Sequence, residues 1–280
     1  MRAAFFTLAA LALAPAWAAE PQKPAPPPIP TDAECKALPA PNKALTYGPG
    51  ELLTFDIDAL GAKAGTMTMR VLPMKNGALP VEAHVETNTF FSKVRRVKGT
   101  GTSWLNPKTL QPMRYLEDAQ ENDVHRVADV TFSAKDRSVK LMSKVNDKTE
   151  SVGFTFSRDI VDVAGAIHML RQMPFKKDST VCFDAYGIRR LWRVWGKIEG
   201  REHVSLPFGE FDAWHLAGVA ARLDAPHLRR EIHVWLTDDD KRLPLAAMGS
   251  IDLGAVRATL TSFSRPDSKK AKAEARNMKW

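Results

Sequence analysis

Apolar residues recur at every second position in short runs separated by turn residues, and a chain written this way can bury them only as a sheet. Leu53, Phe55 and Ile57 alternate with Thr54, Asp56 and Asp58, then Met67, Met69 and Val71 alternate with Thr66, Thr68 and Arg70. Gly61 to Gly65 is the predicted turn between them. Asn76-Gly77 is a hairpin signal, because both residues accept the positive φ of a tight turn, and Val81, Ala83 and Val85 carry the return strand. The device recurs where Val139, Leu141 and Val145 run to Asn146-Asp147 and Val152, Phe154 and Phe156 run back. Further strands are predicted over 181–183, 191–195, 203–206, 211–216, 229–236, 243–250 and 256–263, with Leu206-Pro207-Phe208-Gly209 as a tight turn.

One helix interrupts the pattern. Asp159 is the predicted N-cap, and Ile160, Val163, Ala164, Ile167 and Leu170 follow at helical spacing until Pro174. The helix is expected to lie across the sheet or to close one end of it, with His168 as a packing histidine. Trp104-Leu105 leading to Pro112 is echoed by Trp235-Leu236 leading to Pro244, which suggests two similar half-sheets joined by the helix. The expected fold is mainly β: an antiparallel, strongly curved sheet or partly open barrel-like roll with one central helix.

The ends of the chain read differently. Residues 1–19 have the form of a secretory signal peptide: Arg2, an apolar stretch from Ala3 to Ala14 broken by Thr7, Pro15, then Ala16-Trp17-Ala18 at the cleavage region. That stretch is too short to span a bilayer, so no transmembrane span is expected after its removal. Glu34 before Cys35 departs from a lipoprotein signal. Residues 20–47 form a proline-rich linker, 48–265 a single β-rich domain, and 266–280 a basic tail with Lys269, Lys270, Lys272, Arg276 and Lys279. The tail reads as a solvated segment or as a basic arm for an anionic partner. The expected location is the periplasm or the exterior, where a Cys35–Cys182 disulfide is permitted. Such a bond pins the linker onto the domain; the alternative is two unpaired thiols.

A formal net charge of +8 in an envelope compartment favours anionic lipid headgroups or cell-surface polymers as partners, besides keeping the chain soluble. No nucleic-acid partner is expected. Catalytic signatures are missing: there is no Gly-x-Ser-x-Gly elbow, no His-Glu-x-x-His and no phosphate-binding glycine loop. Neither a cofactor nor a metal is expected. Asp238-Asp239-Asp240 lacks the spacing of a calcium loop and reads as a hairpin tip. His215, His227 and His233 remain, and Glu231 shares a strand face with His233, which makes that pair the one acid–base candidate. Arg229 and Arg230 beside it disfavour a bound cation. Trp192, Trp195, Trp214 and Trp235 are the candidate ligand-binding residues, since a curved sheet lined by aromatics suits an apolar ligand.

With those residues assembled, the chain resembles the exported bacterial family known as domain of unknown function 3108. The resemblance runs from about Gly50 to Phe263. It is carried by Glu51-Leu52-Leu53-Thr54-Phe55, by Phe90 to Val94 followed by Ser103 to Leu110, by Arg171 to Pro174, by Val204 to Trp214, and by Val234-Trp235-Leu236 to Pro244. The family implies a fold and no activity. The Trp235 to Pro244 hairpin is also similar to lipoprotein carriers, which hold acyl chains in a curved sheet under a helical lid. The expected function is therefore a non-enzymatic envelope protein that binds a lipid, glycolipid or anionic polymer. The alternatives are a protein-docking module of an envelope complex and a wall or lipid hydrolase using Glu231 and His233.

Overall fold

The computed structural model describes residues 28–35, 46–187, 189–251 and 254–265. The predicted signal peptide and the basic tail lie outside the described residues. The first half is a meander of β1 (Leu52–Ala59), β2 (Ala62–Val71), β3 (Leu79–Thr87), β4 (Val97–Leu105), β5 (Pro112–Glu121), β6 (Val124–Ser133), β7 (Ser138–Val145) and β8 (Lys148–Thr155). There follow β9 (Ile160–Asp162) and the helix α1 (Val163–Gln172). A second meander comprises β10 (Thr180–Gly187), β11 (Arg190–Leu206), β12 (Gly209–Arg222), β13 (Arg229–Thr237), β14 (Pro244–Ile251) and β15 (Gly254–Ser264).

All of these strands belong to one 15-stranded sheet, in the order β8 to β1, then β15 back to β9. The two meanders are joined by an antiparallel ladder between β1 and β15, with Leu53 opposite Phe263 and Ile57 opposite Ala258. The halves are thus joined by strand pairing and not by the helix, as the echo in the sequence had suggested. The echo itself is structural. In each copy the register shifts after the tryptophan, so that Leu105 pairs with Pro112 and Leu236 with Pro244. In each, a residue with positive φ, Leu110 or Arg242, stands two positions before the proline.

The sheet is strongly curved without closing. Val130, Phe132, Val139 and Leu141 of β6 and β7 meet Ile160 of β9 and Tyr186 of β10 in one apolar cluster, yet β8 and β9 share no ladder. Helix α1 fills the concave face. The main core packs Leu53, Met69, Leu105, Leu170, Phe183, Leu216, Leu236 and Leu260 around it, and each such side chain contributes about 1.5–3 kcal/mol relative to exposure.

Three local expectations are corrected. The helix is capped by Asp162, whose Oδ1 accepts from the Gly165 N–H at 2.7 Å; residues 160–162 instead pair in parallel with β10. The segments 191–195 and 203–206 are one strand, bent at a bulge between Ile198 and Gly200, where Gly200 takes a φ of 146°. The first turn is tighter than Gly61 to Gly65: Leu60 and Gly61 take the positive φ values. Gly65 lies inside β2, where a Cβ would come within 2.3 Å of the Glu86 carbonyl oxygen.

Residues 28–35 lie on the outer face of β10 and β11. Cys35 is bonded to Cys182 with a Cα–Cα distance of 5.2 Å. Arg193, opposite Asp184 in the ladder, gives a forked pair to that carboxylate at 2.8 and 2.9 Å. It also donates to the Pro30 carbonyl at 2.8 Å and to Asp32 at 2.5 Å.

Candidate ligand-binding cavity

Strand register sets the wall of the cavity row by row. Met67, Val85, Gly99, Ala119 and Arg126 face one another across β2 to β6, and Met69, Ala83, Gly101, Glu117 and Ala128 form the next row. Gly101 is required by the neighbouring ring, because a Cβ there would come within 2.7 Å of the Tyr115 hydroxyl. With Ala164 and Ile167 of α1 above, these rows enclose a chamber of about 370 Å³, within the size range of small-molecule sites.

A second chamber of about 260 Å³ lies on the other side of α1. Its wall is Val181, Phe183, Val194, Leu216, Ile232 and Val234, under Ala166, Ile167 and Leu170. The ladder pair Gly196 and Gly218 leaves part of that wall bare of side chains. Val163 and Ile167 border both chambers; α1 is the partition. Val163 is apolar and 58% exposed, so the first turn of the partition stands open to solvent.

The smaller chamber is apolar, whereas the larger has polar groups on its wall. Asp162 is buried, and its carboxylate accepts from the Ser103 hydroxyl as well as from Gly165. Burial pushes this carboxyl above the usual range against those hydrogen bonds. Tyr115 donates to Glu117 at 3.4 Å. Tyr186 is 3% exposed, its hydroxyl has no partner among the described residues, and burial pushes it up to about 12. Arg126 and Arg189 complete this wall. Arg189 also borders a cleft of about 520 Å³ at the seam between the sheet edges, with Leu141, Val152, Phe154 and Leu191.

The four tryptophans do not gather around one ligand. Trp214 is in the core, its indole N–H donating to Asp238 at 2.5 Å and its ring packed on Phe175. Trp192 donates to the Gly187 carbonyl at 3.0 Å. Trp195 belongs to the wall of the smaller chamber, with the Arg229 guanidinium 5.9 Å above its ring. Trp235 stacks on His215 at 4.6 Å and donates to Glu202 at 2.9 Å, in register with His215 and so on the face opposite Val234 and Leu236.

Glu231 and His233 do meet, at 3.2 Å, on that outer face. They end a chain in which Glu202 contacts His215 at 2.7 Å and His215 contacts His233 at 3.0 Å. Neither Glu231 nor His233 lines the two chambers or the seam cleft. Among the described residues no cluster of His, Cys, Asp and Glu is placed to hold a metal. Asp238 and Asp239 instead organise their own loop: Asp238 pairs with Arg201 at 2.7 Å, and Asp239 accepts from the N–H groups of Lys241 and Arg242 at 3.0 Å. His227 lies in the turn before β13.

Sequence reasoning by aromatic content missed the larger chamber. A signal for it exists: Arg126 is in phase with Ala128, Val130 and Phe132, a charge on the apolar parity of its strand.

An open, strongly curved β-roll partitioned by one helix over two chambers defines a class of barrel-like proteins with internal space. Within that class, the chain belongs to the family described as protein of unknown function DUF3108, whose model matches residues 52–261. No curated protein matches the sequence. Among solved structures it is similar to a beta-barrel-like protein of domain of unknown function DUF1849 from Brucella abortus. The TM-score is 0.55 at 9% identity, covering 79% of this chain and 99% of that one; the likeness is one of fold. A Bacteroides fragilis protein with a YmcC-like fold superposes more loosely, with a TM-score of 0.31 at 11% identity, covering 78% of this chain and 96% of that one. It adds nothing to the assignment.

Proposed function

We propose that this is an exported, non-enzymatic envelope protein that holds an amphiphile, a lipid or glycolipid, with its apolar part beneath α1. The observation that carries the reading is the pair of chambers on the concave face, one apolar but for Lys197 and one with polar groups along its wall. Export rests on the signal-like sequence of residues 1–19. Native mass spectrometry of the mature protein, purified from periplasm without detergent, tests it. The expected result is a discrete bound mass, lost on denaturation and reduced by Ala83→Trp, which fills the larger chamber. A clean apo mass, together with no uptake of an added apolar probe, overturns the reading.

The exposed edge strand β8 favours a second reading, a docking module to which a partner adds a strand. A stoichiometric protein recovered from solubilised envelopes, with no small molecule in the cavity, selects it.

A further inference from the structure

The larger chamber contains hydrogen-bond donors that the protein does not use. The Tyr186 hydroxyl and the Arg126 Nε are buried, and neither has a partner among the described residues. Arg126 approaches a carboxylate only at 4.0 Å, that of Glu121. The Arg189 guanidinium on the same wall makes no hydrogen bond or ion pair among the described residues. Buried donors without acceptors are rare and costly, at about 1–3 kcal/mol each, so a site that keeps several of them has an acceptor missing.

The acids of this wall do not fill that role. Asp162 already accepts from Ser103 and Gly165, and Glu117 accepts from Tyr115. Burial further biases Asp162 toward its neutral form, which leaves Glu117 as the charged acid on this wall, with Glu121 reaching Arg126 from beside it at 4.0 Å. Apart from Thr100, whose hydroxyl meets the His84 ring at 3.1 Å, the rest of the wall is apolar or glycine along the rows from Met67 and Met69. We propose that the chamber recognises an oxyanion at the end of an alkyl chain, with Tyr186 and Arg126 donating to the oxyanion and Arg189 closing it off from the seam. The chain then lies along the methionine and valine side of the wall, against α1. This rests on the reading of the cavity as an amphiphile site and adds the chemical class of the ligand's polar end. A fatty-acid carboxylate and a lipid phosphate share that chemistry.

The test is titration of the purified protein with dodecanoate, dodecyl phosphate and methyl dodecanoate, followed by calorimetry or tryptophan fluorescence. A hydrogen bond to a charged group is worth roughly 1.5–3 kcal/mol, so each anion is expected to bind ~10- to 100-fold tighter than the ester. Tyr186→Phe and Arg126→Met are each expected to remove most of that advantage, lowering the ratio of anion to ester affinity toward one. The tighter of the two anions identifies the source, carboxylate or phosphate. Tyr186→Phe deletes a hydroxyl without a partner, so its melting temperature is expected to equal or exceed that of the parent. Ester binding as tightly as both anions, or variants that weaken ester and anion alike, overturns the oxyanion assignment alone. If none of the three probes binds, the cavity reading falls with it.

Discussion

His168 shows how a single buried side chain sets the response of the fold to acid. Its ring is fully enclosed, with Nδ1 at 2.8 Å from the Ala164 carbonyl and the edge of Tyr47 at 4.2 Å. Burial first, and then the nearby Arg171 guanidinium, push it down to about 3. That guanidinium is itself held by Glu51 at 2.6 Å, and the Ala164 carbonyl, which favours a charged imidazole, is outweighed by burial and by Arg171. An unfolded chain takes up this proton below about 6.5 while the native protein refuses it. Stability is therefore full above that pH and is lost as pH falls toward 3, at about 1.4 kcal/mol per unit for this group. Asp162 acts in the opposite sense, because its raised value favours the native state at low pH. We expect the melting temperature to fall between pH 6.5 and 4, and His168→Leu to flatten that fall; parallel slopes for parent and variant would refute the assignment. His168 was legible in the sequence as a packing residue. The donors of the larger chamber were less so: Arg126 stands on the apolar parity of its strand, but only register, which lays it opposite Ala119 and Tyr186 opposite Leu191, brings the two to one chamber.

At the scale of elements, the sequence conveyed strands and turns well and boundaries poorly. Asn76-Gly77 takes the predicted positive φ at both positions. The helix start moved by three residues because Ile160 and Val163 satisfy helical spacing, whereas Ile160–Asp162 gain more by pairing with β10. A helical period cannot distinguish a cap at Asp159 from one at Asp162. The split of β11 came from the polar run Lys197 to Glu202, which looks like a loop until the partner β12 is in place. Asp162 does double duty as cap and as acceptor for Ser103. Its replacement by alanine is expected to lower stability by about 1–2 kcal/mol, and by asparagine much less, in chemical denaturation. Equal losses from the two replacements would mean that charge, and not the cap, is what matters at this position.

The whole molecule depends on contacts between distant parts of the chain. The Cys35–Cys182 bond closes a separation of 147 residues, for which chain-entropy reasoning gives about 5 kcal/mol. Reduction, or Cys35→Ser with Cys182→Ser, is expected to lower the melting temperature by at least ~5 °C. An unchanged melting temperature would show that residues 28–35 are held by Arg193 without help from the bond. Sheet order lay beyond sequence reading, since alternation specifies that a strand has an apolar face and not which strand lies beside it. The ladder of β1 on β15 has a kinetic consequence. It unites β1 with β15, Leu52 opposite Ser264, so neither meander has a neighbour on that side until β15 has been made. Pairings so remote in sequence belong to slow folders, in the range of milliseconds to seconds. Throughout that wait two bare sheet edges stand open to other chains, and the arrival of β15 converts a pair of sticky half-walls into a vessel.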